Sequence, residues 1–150
     1  MSGVRFNLVT APVAVAASTT KTILQISAAA NHRVKVERIR ISGDSVVAAD
    51  IPVEWVLYRQ TALATGTAMA PVPYDEDATE VIQADGIQGA SSEPAGTTKV
   101  WGGFISPLGS YDIVFPPGRE LYISGGSWLG VTALTPNDIN DFIVSADCEE

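Results

Sequence analysis

Nucleophilic triads and imidazole metal sites both need a histidine held beside a partner group. The chain offers one histidine, His32, in the turn-like context Asn31-His32, which sets aside most hydrolases and histidine-dependent metalloenzymes. A cupin-type enzyme is set aside on the same ground, because its metal needs several inward histidines and a carboxylate. Seventeen Asp and Glu residues offer many carboxylate pairs, but number alone does not place two of them across a glycosidic bond. The run Asp75-Glu76-Asp77 has oxygens suited to a hard cation such as calcium. It lacks the Gly-punctuated spacing of calcium loops and reads as a solvated loop tip. The Gly-rich pieces are followed by neither a helix nor a lysine, so they are turns rather than phosphate cradles. The lone Cys148 excludes an intramolecular disulfide and reads as a small edge-strand residue. No catalytic residue, metal or cofactor is expected, and the chain reads as a binding or structural protein rather than an enzyme.

The most strongly patterned segment is Arg33-Val34-Lys35-Val36-Glu37-Arg38-Ile39-Arg40-Ile41, which holds four of the nine basic residues of the chain. Side chains alternate faces along a strand, yet Val34 and Val36 have the opposite parity to Ile39 and Ile41. A β-bulge near Glu37-Arg38 would turn all four apolar residues inward and set Arg33, Lys35, Arg38 and Arg40 in one outward stripe. Such a stripe suits either a solvated strand face guarded against aggregation or a docking surface for an acidic partner. Trp55, Trp101 and Trp128 raise a sugar-stacking alternative, but each sits inside an apolar run and so reads as core or subunit-interface packing. Trp101 is the strongest interface or stacking candidate, because Gly102-Gly103 beside it implies a bulge or a close backbone approach.

These residues must be positioned by strands. Short β-branched and aromatic runs recur between Gly, Pro, Asn and Asp punctuation, with almost no helical periodicity. Strands are predicted at about Val4–Val9, Thr22–Ala28, Val34–Ser42, Val53–Thr61, Thr98–Ile105, Tyr111–Phe115, Glu120–Ser124, Trp128–Ala133 and Phe142–Ala146. Turns are expected at Gly43-Asp44, Ser106-Pro107-Leu108-Gly109, Pro116-Pro117-Gly118 and Gly125-Gly126, the last as a tight hairpin joining its two neighbouring strands. About nine strands without intervening helices predict one all-β domain over residues 1–150, an antiparallel, jelly-roll-like β-sandwich. An immunoglobulin-like topology remains open, although the Cys and Trp spacing of antibody domains is missing. Residues 62–95 look loop-rich around a short strand near Glu80–Ala84, and within residues 1–20 the segment Thr10–Thr20 reads equally as an extended N-terminal arm or as a strand extension.

Composition bounds the partners. With 46% hydrophobic and only 17% charged residues, the chain lies far from disorder and is expected to bury surface against other protein. A net charge of −8 argues against nucleic acid or an anionic membrane as the main partner. Leu8–Ala17 superficially resembles a signal-peptide core, but Asn7 and Thr10 interrupt it and it is Ala- and Val-rich. No apolar stretch reaches the roughly 18 to 20 residues needed to span a bilayer, so a soluble chain is expected.

Taken in order, the features resemble the small head decoration, or cement, proteins of tailed bacteriophages. The likeness is carried by Thr19-Thr20-Lys21-Thr22-Ile23-Leu24, Arg38-Ile39-Arg40-Ile41-Ser42-Gly43, Tyr58-Arg59-Gln60-Thr61 and Thr65-Gly66-Thr67-Ala68. It continues through the strand around Trp101, Phe115-Pro116-Pro117-Gly118-Arg119-Glu120-Leu121, and Phe142-Ile143-Val144 with Glu149-Glu150. The acidic run at Asp75 and the insert after it depart from that pattern. The resemblance implies a structural protein on the virion exterior, made in the cytoplasm of the bacterial host. It would bind the lattice of the major capsid protein as a homotrimer and clamp adjacent capsomers. A tail- or fibre-associated β-module and a carbohydrate-binding module are the alternatives.

Overall fold

The computed structural model describes residues 3–44, 51–135 and 140–150. These form thirteen strands and no helix: β1 (Arg5–Val9), β2 (Val13–Val15), β3 (Thr19–Ser27), β4 (Val34–Asp44), β5 (Val53–Gln60), β6 (Thr65–Met69), β7 (Val72–Pro73), β8 (Asp85–Ser92), β9 (Gly96–Ile105), β10 (Ser110–Val114), β11 (Leu121–Ile123), β12 (Trp128–Thr135) and β13 (Asn140–Glu149). Every pairing is antiparallel. One sheet runs β10-β4-β13-β1-β7, with β11 also on β4 and β2 also on β13; the other runs β6-β8-β3-β12-β5-β9. Consecutive strands repeatedly change sheet, as in β3 to β4, β9 to β10 and β11 to β12. This is the expected all-β sandwich, with thirteen strands rather than nine.

Alternation builds the core. On β13, Phe142, Val144, Ala146 and Cys148 are buried, while Asp141, Ile143, Ser145, Asp147 and Glu149 face outward. Trp55 of β5 crosses the sandwich to meet Phe142 edge-on, with ring centroids 5.0 Å apart and planes at 80°. Fully burying aromatic and aliphatic side chains of this kind stabilises by about 1.5 to 3 kcal/mol each. Cys148 belongs to this core rather than to an edge, since β13 is flanked on both sides and Cys148 pairs with Phe6 and Val36. Burial pushes its thiol well above the ordinary range, so it stays protonated.

Glu37 is a bulge. Asp147 pairs with Arg38 and Cys148 with Val36, leaving Glu37 without an opposite residue on β13. On the other side of β4, β10 pairs as far as Arg38 and β11 resumes at Val36. Between them the Phe115 N–H donates to the Glu37 carbonyl at 2.9 Å. One extra residue therefore serves both neighbours, and Val34, Val36, Ile39 and Ile41 are all buried.

Several sequence expectations are corrected. Gly125-Gly126 does not close a hairpin: β11 pairs with β4, whereas β12 pairs with β3 and β5, so the turn is a corner between sheets. Gly126 takes a left-handed φ of 72° there, and a Cβ on Gly125 would run into the carbonyls of Ala30 and His32. Gly43 and Asp44 lie within β4, where Gly43 is required because the Phe142 ring and the Pro107 carbonyl press against it. The strand expected at Glu80–Ala84 lies instead at Asp85–Ser92, and β6 and β7 precede it in the region expected to be loops. Of the two readings of Thr10–Thr20, arm or strand, the strand holds: Val13 and Val15 are buried and β2 pairs with β13.

On the outer side of the second sheet, the buried side chains of Gln25 and Gln60 lie in one hydrogen-bonded network. Gln25 Nε2 donates to Gln60 Oε1 at 2.6 Å and to the Ala62 carbonyl at 2.9 Å, and Gln25 Oε1 accepts from the Ala64 N–H at 2.7 Å. Gln60 Nε2 donates to Thr22 Oγ1, which donates in turn to Glu93. The segment after β5 and the one before β9 are thereby fastened to the sheet, and burial of the amides costs little because their partners are in place.

Deleting Glu37 slips the first half of β4 by one residue and sends Val34 and Val36 to the solvent side. The deletion is expected to abolish cooperative unfolding, whereas Glu37→Ala, which keeps the extra residue, is expected to unfold cooperatively with a melting temperature lowered by a few degrees. Thermal scans by circular dichroism distinguish the two.

Candidate functional site

The bulge places Lys35, Arg38 and Arg40 on the outer face of the first sheet, and each meets a carboxylate. Lys35 Nζ is 3.0 Å from Glu37 and bonds Glu149. Arg38 grips Asp112 of β10 with Nε 2.7 Å from one carboxylate oxygen and Nη2 on the other. Arg40 stands 3.7 Å from the same Asp112. Arg5 of β1 joins the first cluster, 3.5 Å from Glu37 and 4.0 Å from Glu149. Arg33 differs in chemistry: its guanidinium lies 4.7 Å over the ring of Tyr122, a cation–π contact from the strand next door.

Asp147 completes the face, accepting from Asn7 Nδ2 and from the Tyr74 hydroxyl at 2.6 Å each. Burial, then the bond to Asp147, raises the Tyr74 hydroxyl above its ordinary pKa. Arg5, Lys35, Arg38 and Arg40 are thus set against Glu37, Asp112, Asp147 and Glu149, in a chain whose net charge is −8. The expected basic stripe is a balanced lattice of alternating charge. A shallow depression of about 390 Å³ lies on it, bordered by Val9, Arg40, Tyr74 and Ile143.

His32 remains a turn residue. Its Nδ1 is 3.1 Å from Asn31 Oδ1 and 3.5 Å from Glu150 Oε1. The other Glu150 oxygen accepts the N–H groups of Gln83 and Ala84 at 2.8 and 3.0 Å, pinning that segment to the end of β13. Asp75 caps its own turn through the Asp77 N–H at 3.0 Å. Among the described residues, no three His, Cys, Asp or Glu side chains lie close enough together to hold a metal ion.

The three tryptophans form no shared platform. Trp55 is buried, Trp128 is half-buried on β12, and Trp101 stacks on Tyr111 with centroids 5.5 Å apart and planes at 25°. That stack closes the side of the sandwich where β9 and β10 end their sheets. Sugar-binding modules need two exposed, coplanar rings side by side; here Trp101 and Tyr111 cover each other. Sequence reasoning did not find the role of Asp112, Glu149 and Tyr74, because only the register of β10, β13 and β7 brings them beside β4.

Compared with family models, curated proteins and solved structures, the chain matches none. Its function is therefore inferred from its own residues.

The hydrogen bond from Lys35, helped by the Gly3 N–H and the Arg5 charge, holds the Glu149 carboxyl below the usual carboxylate range. Asp112 is held down by Arg38 and Arg40. Lys35 is pushed up to about 12 by Glu149 and Glu37. A depressed carboxylate stabilises fully above its unfolded pKa, about 4, and that contribution is lost as pH falls through the folded value. For Lys35 the stabilisation is present below the ordinary lysine value and is lost as pH rises through about 12. The melting temperature is expected to fall on acidification from about pH 5 to 2.5. Glu149→Gln is expected to start lower at pH 7 and to lose less over that range, as differential scanning calorimetry would show.

Proposed function

We propose that the chain is a structural virion protein that binds the outside of an assembled bacteriophage capsid and stabilises it. In this role as a decoration or cement protein, three copies sit around a local threefold position of the major capsid protein lattice. The resemblance in the sequence supports the lattice and the threefold. The observation that carries the reading is the outer face of the first sheet, where the bulge at Glu37 concentrates Lys35, Arg38 and Arg40 on one side of a rigid sandwich.

The charge balance of this face matters more than its cations alone. The chain as a whole carries −8, so an acidic partner is repelled by most of the surface. It is repelled least by the face where four cations stand among four carboxylates. Pairing also fixes the long side chains before contact, which lowers the entropy lost on docking. Individual exposed ion pairs contribute about 0.2 to 1 kcal/mol, so the face supplies register and specificity, and apolar neighbours such as Val9, Val72 and Ile143 supply contact area. A protein that binds only the assembled shell stabilises it by mass action.

Arg33 and Arg40 are the cations to change, since Arg38 is locked to Asp112. Arg33→Glu with Arg40→Glu is expected to keep the melting temperature within about 2 °C and to weaken binding to expanded shells about tenfold or more, a difference of about 1.4 kcal/mol. The wild-type affinity is expected to fall as salt rises, because charges at an interface rim are screened over a Debye length of about 8 Å at physiological ionic strength. Normal shell occupancy by the double variant at both low and high salt would overturn this reading.

A further inference from the structure

The strand that ends the second sheet, β9, pairs with β5 on one side and has no backbone partner on the other among the described residues. An open edge of this kind is a template for another strand, and proteins blunt it with charges, prolines, bulges or short length. The other edges among the described residues are blunted. β7 is two residues long and contains Pro73, β6 is irregular at Gly66, β2 and β11 have three residues each, and β10 carries Asp112 clasped by Arg38 and Arg40.

β9 is protected over half its length. Its first half has two irregularities, at Thr97 and Val100, and a charge at Lys99, which stands 3.4 Å from Glu54. From Trp101 to Ile105 the pairing with β5 is regular, and the segment holds no charge and no proline. Phe104 projects from its outer face with 74% of its surface exposed. Gly102, two residues away on that face, is uncrowded: a Cβ there would meet nothing nearer than the Trp55 carbonyl at 3.6 Å and a Val56 methyl at 3.8 Å, both ordinary contact distances.

We propose that two copies of the chain join through Trp101–Ile105, antiparallel about a twofold axis at Gly103, so that the second sheet continues from one copy into the other. In this register Phe104 of each copy lies opposite Gly102 of the other on the outer face, and Trp101 lies opposite Ile105 on the inner face. A ring laid over a strand glycine already occurs within the chain, where Tyr58 of β5 covers Gly96 of β9 so closely that a Cβ would strike the ring. The neighbouring registers are worse. An axis at Gly102 sets two glycines opposite each other and Phe104 against the bulged Val100; an axis at Phe104 sets Gly102 against Ser106, beyond the strand end. A twofold contact requires a self-complementary surface, and the spacing of Gly102 and Phe104 about Gly103 supplies it.

The contact uses surfaces separate from the outer face of the first sheet and does not depend on shell binding. Trimers on a lattice can meet their neighbours through the same edge, so the free protein is expected to contain an even number of chains. Sedimentation equilibrium on the full chain from about 1 to 100 μM is expected to give twice the chain mass of 15.8 kDa, or six times it for twofold-joined trimers. Phe104→Lys is expected to raise the dissociation constant of the pair by at least about 30-fold, in the range of hot-spot losses. Val100→Lys, on the same strand but outside the paired segment, is expected to leave it unchanged. Hydrogen exchange at residues 101–105 should slow as concentration rises. A mass of one or three chains at 100 μM, or an even-numbered mass that Phe104→Lys leaves intact, would overturn the proposal. Loss of shell binding with the even-numbered mass retained would count against the capsid reading alone.

Discussion

Side-chain parity along β4 is the constraint on which the rest of the structure depends. A strand can bury one set of alternating residues, yet the apolar residues of β4 change parity between Val36 and Ile39. Inserting Glu37 as an unpaired residue resolves the conflict, and both neighbours of β4 accommodate it: β13 skips it, while β10 and β11 break around it. The loop between β10 and β11, with its Pro116-Pro117-Gly118 turn and left-handed Gly118 at φ 82°, exists where an uninterrupted strand would have to cross the bulge.

The same insertion creates the charged face. Once the valines and isoleucines point inward, Lys35, Arg38 and Arg40 must point outward, because no other direction is available to them. Carboxylates from two other strands then meet them, Asp112 from β10 and Glu149 from β13, while Asp147 of β13 takes Asn7 and Tyr74 beside them and Arg5 of β1 completes the pattern. Core and surface are two consequences of one register. The second sheet achieves rigidity differently, by fastening its connecting segments to Gln25 and Gln60 through fully partnered amides.

The all-β class, the sandwich and the bulge were legible because they follow from alternation and turn chemistry within short windows. All nine predicted strands correspond to observed ones, including Val34–Ser42 and Val53–Thr61 almost to the residue. β6, β7 and β8 were not legible: Thr, Gly, Ala and Ser dominate β6 and β8, β7 is only Val72-Pro73, and they become strands because β3 offers an edge to β8, β8 to β6 and β1 to β7. The Gly125-Gly126 corner was misread as a hairpin because a glycine pair specifies a reversal of the chain without specifying which sheet receives it. The four cations were legible as a stripe. Their neutralisation was not, since Asp112 and Glu149 lie about 75 and 110 residues from β4 in sequence and only sheet register brings them near.

A balanced, preorganised face and, among the described residues, an unguarded edge at β9 suit the proposed role of attaching to a repeating surface beside neighbours of its own kind. Recognition of an assembled lattice differs from recognition of a single subunit, because the binding surface exists only after subunits have moved into their final positions. For the proposed capsid role, the most direct measurement is co-sedimentation of the purified protein with expanded, empty capsids of a tailed phage and, in parallel, with the unexpanded precursor shells. Saturable binding to the expanded shells and none to the precursor is predicted. Equal binding to both, or binding to neither, would contradict the account.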